Sequence, residues 1–194
     1  MKKLENNFLY LVFLEGKAKK ANIELHDVRW VVGSKIEDTY DTLRKEWFGS
    51  PKGLHIDSYK KIEYIDGYKI NLIKFQRDKI EIKKLVKNNK AKKHLWFVNI
   101  GGYNPTSMQE KHEFGLVIAS NKLEAKNIAK SKWLIGCEKK HKDDIASLEM
   151  LLSWHDCELI KKIGNWEIEL TPDNNFIEEN NYPDWYGYKK IDDK

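Results

Sequence analysis

The sequence predicts an α+β fold made of two tandem, pseudo-equivalent ββαββ units, with antiparallel sheets and helices on one side. Three observations predict it. The stretch from Phe8 to Tyr59 recurs without a gap 86 residues further on, so that Leu9 meets Leu95, His26 meets His112 and Trp47 meets Trp133. Within each copy, two segments of strand length precede one with a helical apolar stripe. Each copy then closes on a Gly-containing pair between strand-like segments, the mark of a hairpin.

Taken in order, Phe8–Leu14 and His94–Ile100 are short apolar runs of strand length. Glu24–Val32 alternates, so Glu24, His26, Val28, Trp30 and Val32 share one face; Glu110, His112, Phe114, Leu116 and Ile118 do the same in the second copy. That face is expected to look into the core. Ser34 and Ser120 read as helix N-caps, Ser34 forming a capping box with Glu37. Ile36, Tyr40, Leu43 and Trp47 give the first helix its apolar stripe, and Ala125, Ile128, Ala129 and Trp133 the second. Asp66-Gly67 and Gly164-Asn165 suit the positive φ of tight hairpin turns. The expected division is a first repeat at 1–78, a basic connector at 79–93, a second repeat at 94–172 and an irregular tail at 173–194. In that tail Trp185 and Tyr186 would serve as anchors. The two repeats are expected to pack as one body, since an in-chain duplication reproduces what a symmetric dimer makes, and a homodimer of the whole chain is a compatible assembly.

The 194 residues are enough for a sizeable core, and 41% hydrophobic with 34% charged residues is a globular composition. Four Pro and eleven Gly argue against long disordered linkers. The two cysteines, Cys137 and Cys157, are too few for a disulfide scaffold and show no metal spacing, which fits reduced thiols in a cytoplasmic protein. The apolar run Phe8–Leu14 is ended by Glu15 with no small-residue cleavage site after it, so it reads as a strand and not as a signal peptide, and no stretch approaches the ~20 apolar residues of a membrane span. The net charge of +5 is uneven: residues 79–93 hold seven Lys and one Glu. That stretch has no aromatic and no Arg, so it reads as a solvated connector in preference to a nucleic-acid surface.

Four of the six histidines fall in matched pairs, His26 with His112 and His55 with His141. Each has a carboxylate two residues away: Glu24, Glu110, Asp57 and Asp143. On a strand, i and i+2 point the same way, so each segment presents an imidazole beside a carboxylate. Three readings follow. The leading one is a hydrogen-bonded network that pins a loop to the sheet, since a buried His needs a partner. The second is a divalent transition-metal site for Zn, Mn or Fe, whose ligands are imidazole and carboxylate. The third is acid–base chemistry with the carboxylate fixing the tautomer. Trp47 and Trp133 read as core or cap packing. No phosphate-binding Gly-rich loop and no nucleophile elbow is present. Cys137 lies four residues before His141, but its counterpart in the first copy is Pro51, so the shared unit does not require it.

The segments LHDVRWVVG, WFG, LHIDSY, IDGY, FVNIGGYNP, KHEFGLVIA and HKDD together resemble the bacterial family called domain of unknown function 1543. The resemblance covers most of residues 8–170, with departures at Met108-Gln109 and at IGNW where the first copy has IDGY. It implies a tandem two-copy form and no particular activity. The leading functional expectation is a non-catalytic binding or interaction module for a protein or small ligand, with no cofactor. The first alternative is a metal-dependent hydrolase, with His26, His55 and Asp57 (and His112, His141 and Asp143) as ligands and Glu24 or Glu110 as ligand or base. The second is a nucleic-acid binder through residues 79–93.

Overall fold

The computed structural model describes residues 6–75, 92–104, 106–133, 135, 156–174, 176 and 182–192. In chain order its elements are β1 (Phe8–Gly16), β2 (Leu25–Gly33), a 3-10 turn (Ile36–Thr39), α1 (Tyr40–Glu46), β3 (His55–Ile62), β4 (Tyr64–Ile65), β5 (Tyr68–Lys74), β6 (His94–Gly102), β7 (Lys111–Ala119), α2 (Lys122–Lys132), β8 (Cys157–Ile160), β9 (Lys162–Ile163), β10 (Trp166–Pro172) and β11 (Trp185–Lys190). Few helices against antiparallel sheets make this an α+β architecture. The chain divides into two units, Met1–Phe75 with Lys162–Lys194, and Gln76–Lys161. Among the described residues no helix is long and apolar enough to cross a membrane.

In the first unit the main sheet has the order β11-β3-β1-β2, antiparallel throughout. Alternation along β1 sends Tyr10, Val12 and Leu14 to one face. There they meet Val31, Ile36, Leu43, Trp47, Leu54, Ile56 and Ile191 in a buried cluster. Leu14, Leu43, Leu54 and Ile56 are fully buried, each contributing about 1.5–3 kcal/mol relative to exposure. On β2 Leu25 and Val31 face this cluster, while Val28, on the face expected from alternation, is also buried, as are Leu9 and Ile62 on the same side of the sheet, so both faces are covered in part. His26 is exposed, and the set Glu24, His26, Val28, Trp30 and Val32 lies opposite the helix-covered cluster.

Two further expectations change. The hairpin turn at Asp66-Gly67 forms as predicted, with φ of +49° and +78°. Its strand β5, however, pairs along its length with β10 in a sheet of order β4-β5-β10-β9. Residues 162–172, which the repeat assigns to the second copy, thus lie with the first unit. The tail is not irregular either: Trp185–Lys190 forms β11 on the edge of β3, and Trp185 stacks on Tyr59 with ring centroids 5.9 Å apart. Tyr186 is 80% exposed and anchors nothing there. The pairing is non-local, so no periodicity within the tail could announce it.

In the second unit the order is β7-β6-β8. The β6–β8 register, Leu95 opposite Ile160 and Val98 opposite Cys157, repeats that of β1–β3, Leu9 opposite Ile62 and Val12 opposite Tyr59. Trp96, Val98, Ile100, Val117, Ala119, Ala125, Ala129 and Cys157 form the core under α2. Burial pushes the Cys157 thiol up to about 11, which leaves it a poor nucleophile. Cys137, the basic connector up to residue 91, His141 and Asp143 lie outside the described residues.

The serines do not cap the helices themselves. Asp38 accepts from Ser34 Oγ at 2.5 Å and from the N–H groups of Ser34 and Lys35. In the second unit Asn121 is the N-cap, accepting from Glu124 N–H at 2.9 Å, while Glu124 reaches back to the Ser120 hydroxyl and N–H. Lys93 and Ser120 together hold the Glu124 carboxyl down from its usual 4.5 to about 2. A depressed carboxyl contributes stability that is present above pH 4.5 and lost as pH falls toward 2. Glu124→Gln should therefore flatten the acid limb of a pH-dependent melting profile between those values. A variant that keeps the wild-type limb would remove this contact from the account of acid stability.

Candidate functional site

Strand register builds the site. Glu15, at the end of β1, lies opposite His26 on β2 and opposite His55 on β3. Three ionisable side chains thus stand in one row across adjacent strands, on the face away from α1. Lys190 on β11 extends the row beyond His55. Asp57 enters through an irregularity: Phe13 pairs with Ser58 and Leu14 with Ile56, so Asp57 has no partner on β1. This is the extra residue of a β-bulge, a device that re-aims side chains beside binding sites.

His55 is the centre. It is 1% exposed, and the Tyr188 ring covers it with centroids 4.1 Å apart. Its Nδ1 lies 2.8 Å from the Gly53 carbonyl oxygen, which can only accept, so Nδ1 carries the proton and donates. Nε2 then faces Asp57 Oδ1 at 3.2 Å, Glu15 Oε2 at 3.6 Å and Glu24 Oε2 at 3.9 Å. Glu15 also takes a 2.5 Å contact from His26 Nε2, whose ring stacks on Phe13 with centroids 5.6 Å apart and planes 12° apart. Burial, with the adjoining Asp57 carboxylate next in importance, pushes the Glu15 carboxyl above the usual range, while His26 and His55 pull it the other way. Glu15, Glu24 and His55 each offer a donor atom within 4.8 Å of the others.

Of the eight residues singled out in the sequence, the structure brings Glu24, His26, His55 and Asp57 together. In the second copy it pairs Glu110 with His112, Oε2 to Nε2, at 3.4 Å. The row is different there, because Gly101 stands opposite His112 where the first copy has Glu15. A Cβ on Gly101 would fall 1.9 Å from Glu110 Oε1, so the Glu110 carboxylate lies over the space a side chain at 101 would need.

Glu15 is the residue that sequence reasoning missed. Matching the copies discards it, since its counterpart is glycine. The available signal was parity: Glu15 shares a strand face with Phe13 and ends the apolar run of β1.

A family model described as Domain of Unknown Function (DUF1543) matches residues 21–72 and 107–159. The site residues Glu24, His26, His55 and Asp57 lie in the first matched segment, and Glu110, His112, His141 and Asp143 in the second. None of the curated proteins compared matches the chain. Among solved structures, the crystal structure of a protein Il1583 from Idiomarina loihiensis is similar: 32% identity, 95% of this chain and 97% of that chain covered, TM-score 0.66. With two matched segments that together span more than half of its length, the chain belongs to the DUF1543 family.

Proposed function

We propose that the first unit binds a divalent transition metal and that the protein is a metal-binding module. The observation that carries this is the state of His55. With its Nδ1 proton committed to the Gly53 carbonyl, Nε2 points at three carboxylates. Three carboxylates gathered round one imidazole nitrogen repel one another, and a cation among them would turn that repulsion into attraction. A backbone carbonyl on the far nitrogen is also the usual support for a metal-ligating histidine. Donors at ~2.1 Å from a metal stand ~3.4 Å apart when tetrahedral. The separations of 3.2, 3.6 and 3.9 Å bracket that value. Mixed imidazole and carboxylate donors suit Zn, Mn or Fe. Glu15, Glu24 and His55 are assigned as ligands, Asp57 as a fourth donor, and His26 as the residue that orients Glu15.

A hydrolytic role for the same site is the second reading. It is favoured by the exposure of one side: the Glu24 and His26 side chains are 40% and 49% accessible. Catalytic metal sites keep an open position there, where structural sites are closed.

Elemental analysis of natively purified, tag-free protein tests the proposal. The expected result is about one equivalent of a single transition metal per chain, lost in His55→Ala. Protein that stays metal-free after exposure to Zn and Mn would overturn it.

A further inference from the structure

We infer that Asp192 is a positioning residue for this site, acting through the Gly53 backbone on His55; the inference rests on the metal reading above. Gly53 has φ of +88°, a conformation that a side chain would strain, while a Cβ there would meet nothing within 4 Å. The glycine is therefore required by backbone conformation and not by space. That conformation sends its two polar groups to different partners. The carbonyl takes the His55 Nδ1 proton at 2.8 Å, and the N–H donates to Asp192 Oδ2 at 2.9 Å. The peptide planes on both sides of Gly53 are thus held, the one after it also by Leu54 N–H donating to Pro51 O at 3.3 Å.

Asp192 is itself fixed. Its side chain is 9% exposed and pairs with Lys190 Nζ at 3.1 Å. The preceding Ile191 is buried in the helix-side core, donates its N–H to Leu54 O at 3.0 Å, and accepts from Arg44 Nη1 at 2.9 Å. The segment after β11 therefore clamps the loop that feeds His55 from β3. A path of hydrogen bonds runs from Asp192 through Gly53 to Nδ1 of His55, and across the ring Nε2 faces the carboxylates. Loss of the Asp192 acceptor frees the peptide plane before Gly53, so the φ of +88° that aims the following carbonyl at His55 is no longer held from that side. The carbonyl then no longer dictates which ring nitrogen carries the proton, and the metal-facing nitrogen is protonated in part of the population. Groups bonded directly to a ligating histidine change metal affinity about 10–100-fold when removed, and Asp192 acts through one such group, the Gly53 carbonyl.

The test compares Asp192→Ala and Asp192→Asn with the wild-type full chain. Two readouts are taken: the ¹⁵N shifts of the His55 ring, which report the tautomer, and Zn affinity by titration calorimetry. In Asp192→Ala the Nδ1-protonated form is expected to lose its dominance and Zn affinity to fall about tenfold or more. Asp192→Asn, which keeps an oxygen acceptor for the Gly53 N–H, should retain both. A folded Asp192→Ala with wild-type tautomer and affinity overturns the inference, as does Asp192→Asn losing as much as the alanine variant. Should the alanine variant fail to fold, the wild-type Gly53 amide decides: slow hydrogen exchange supports the relay, and exchange at the rate of an open loop overturns it. Wild-type protein that takes no Zn sinks the metal reading, and the tautomer comparison then decides the positioning role by itself.

Discussion

Glu15→Gln is expected to lower divalent-metal affinity by about 100-fold or more, since even supporting groups outside the ligand shell cost 10–100-fold. The same change should leave the metal-free protein at neutral pH at least as stable as the wild type. The two effects have one cause. Glu15 is the centre of the row, touching His26 directly and facing His55 and Asp57. Without a cation its ionisation is opposed by burial and by Asp57, and its pKa is raised. For a carboxyl whose folded pKa lies above the unfolded value, the stabilising contribution is complete below the unfolded value of about 4.5 and is lost as pH rises through the folded pKa. A neutral glutamine escapes that loss. Its advantage over wild type in urea unfolding should therefore appear as pH rises above that range and vanish below it. Unchanged metal affinity in this variant would remove Glu15 from the ligand set. Lower stability at pH 7, with no metal present, would mean that the His26 contact outweighs the repulsion.

Trp47→Ala is expected to cost about 3–5 kcal/mol of stability, the range for deleting a large buried aromatic. The indole closes the end of α1 and fits between two glycines. A Cβ on Gly16 would lie 2.9 Å from its Cζ2, and one on Gly49 would lie 2.8 Å from its Cε2. Its Nε1–H donates to Ser50 O at 3.1 Å. Deletion therefore opens a cavity and leaves that carbonyl without its indole donor, in the loop leading to Gly53 and His55. The expected readout is a large drop in the urea midpoint, with weaker metal binding in whatever remains folded. A cost under about 1 kcal/mol would be far below a core deletion and would mean that the loop holds without the indole. Trp133 sits similarly close to Gly115 in the second unit, where a Cβ would lie 2.7 Å from Cζ2. Both tryptophans thus pack tightly within their own units, as the apolar stripe at helical spacing suggested, but against glycines that do not correspond, since Arg29 matches Gly115.

Much of this was legible in the sequence because it is local. The i, i+2 spacing singled out Glu24 with His26 and His55 with Asp57, although Glu24 precedes β2 and Asp57 sits at the bulge, so strand alternation alone places neither pair. The Asp66-Gly67 turn followed from backbone preference alone. The repeat marked Trp47 and the histidines through their own recurrence. What only tertiary structure decided is which neighbours those local units acquire. Alternation defines two faces of β2 but does not say which one a helix covers, so the face assigned to the core is the one that carries the site. Glu15 became its centre through cross-strand register, with Asp57 brought in by a bulge, and register depends on residues 11 to 42 positions away in sequence. The pairing of β5 with β10 and of β11 with β3 spans about a hundred residues or more, beyond any window of periodicity. Sequence determined the side chains and their local geometry; long-range strand pairing determined that two histidines and three carboxylates share one site.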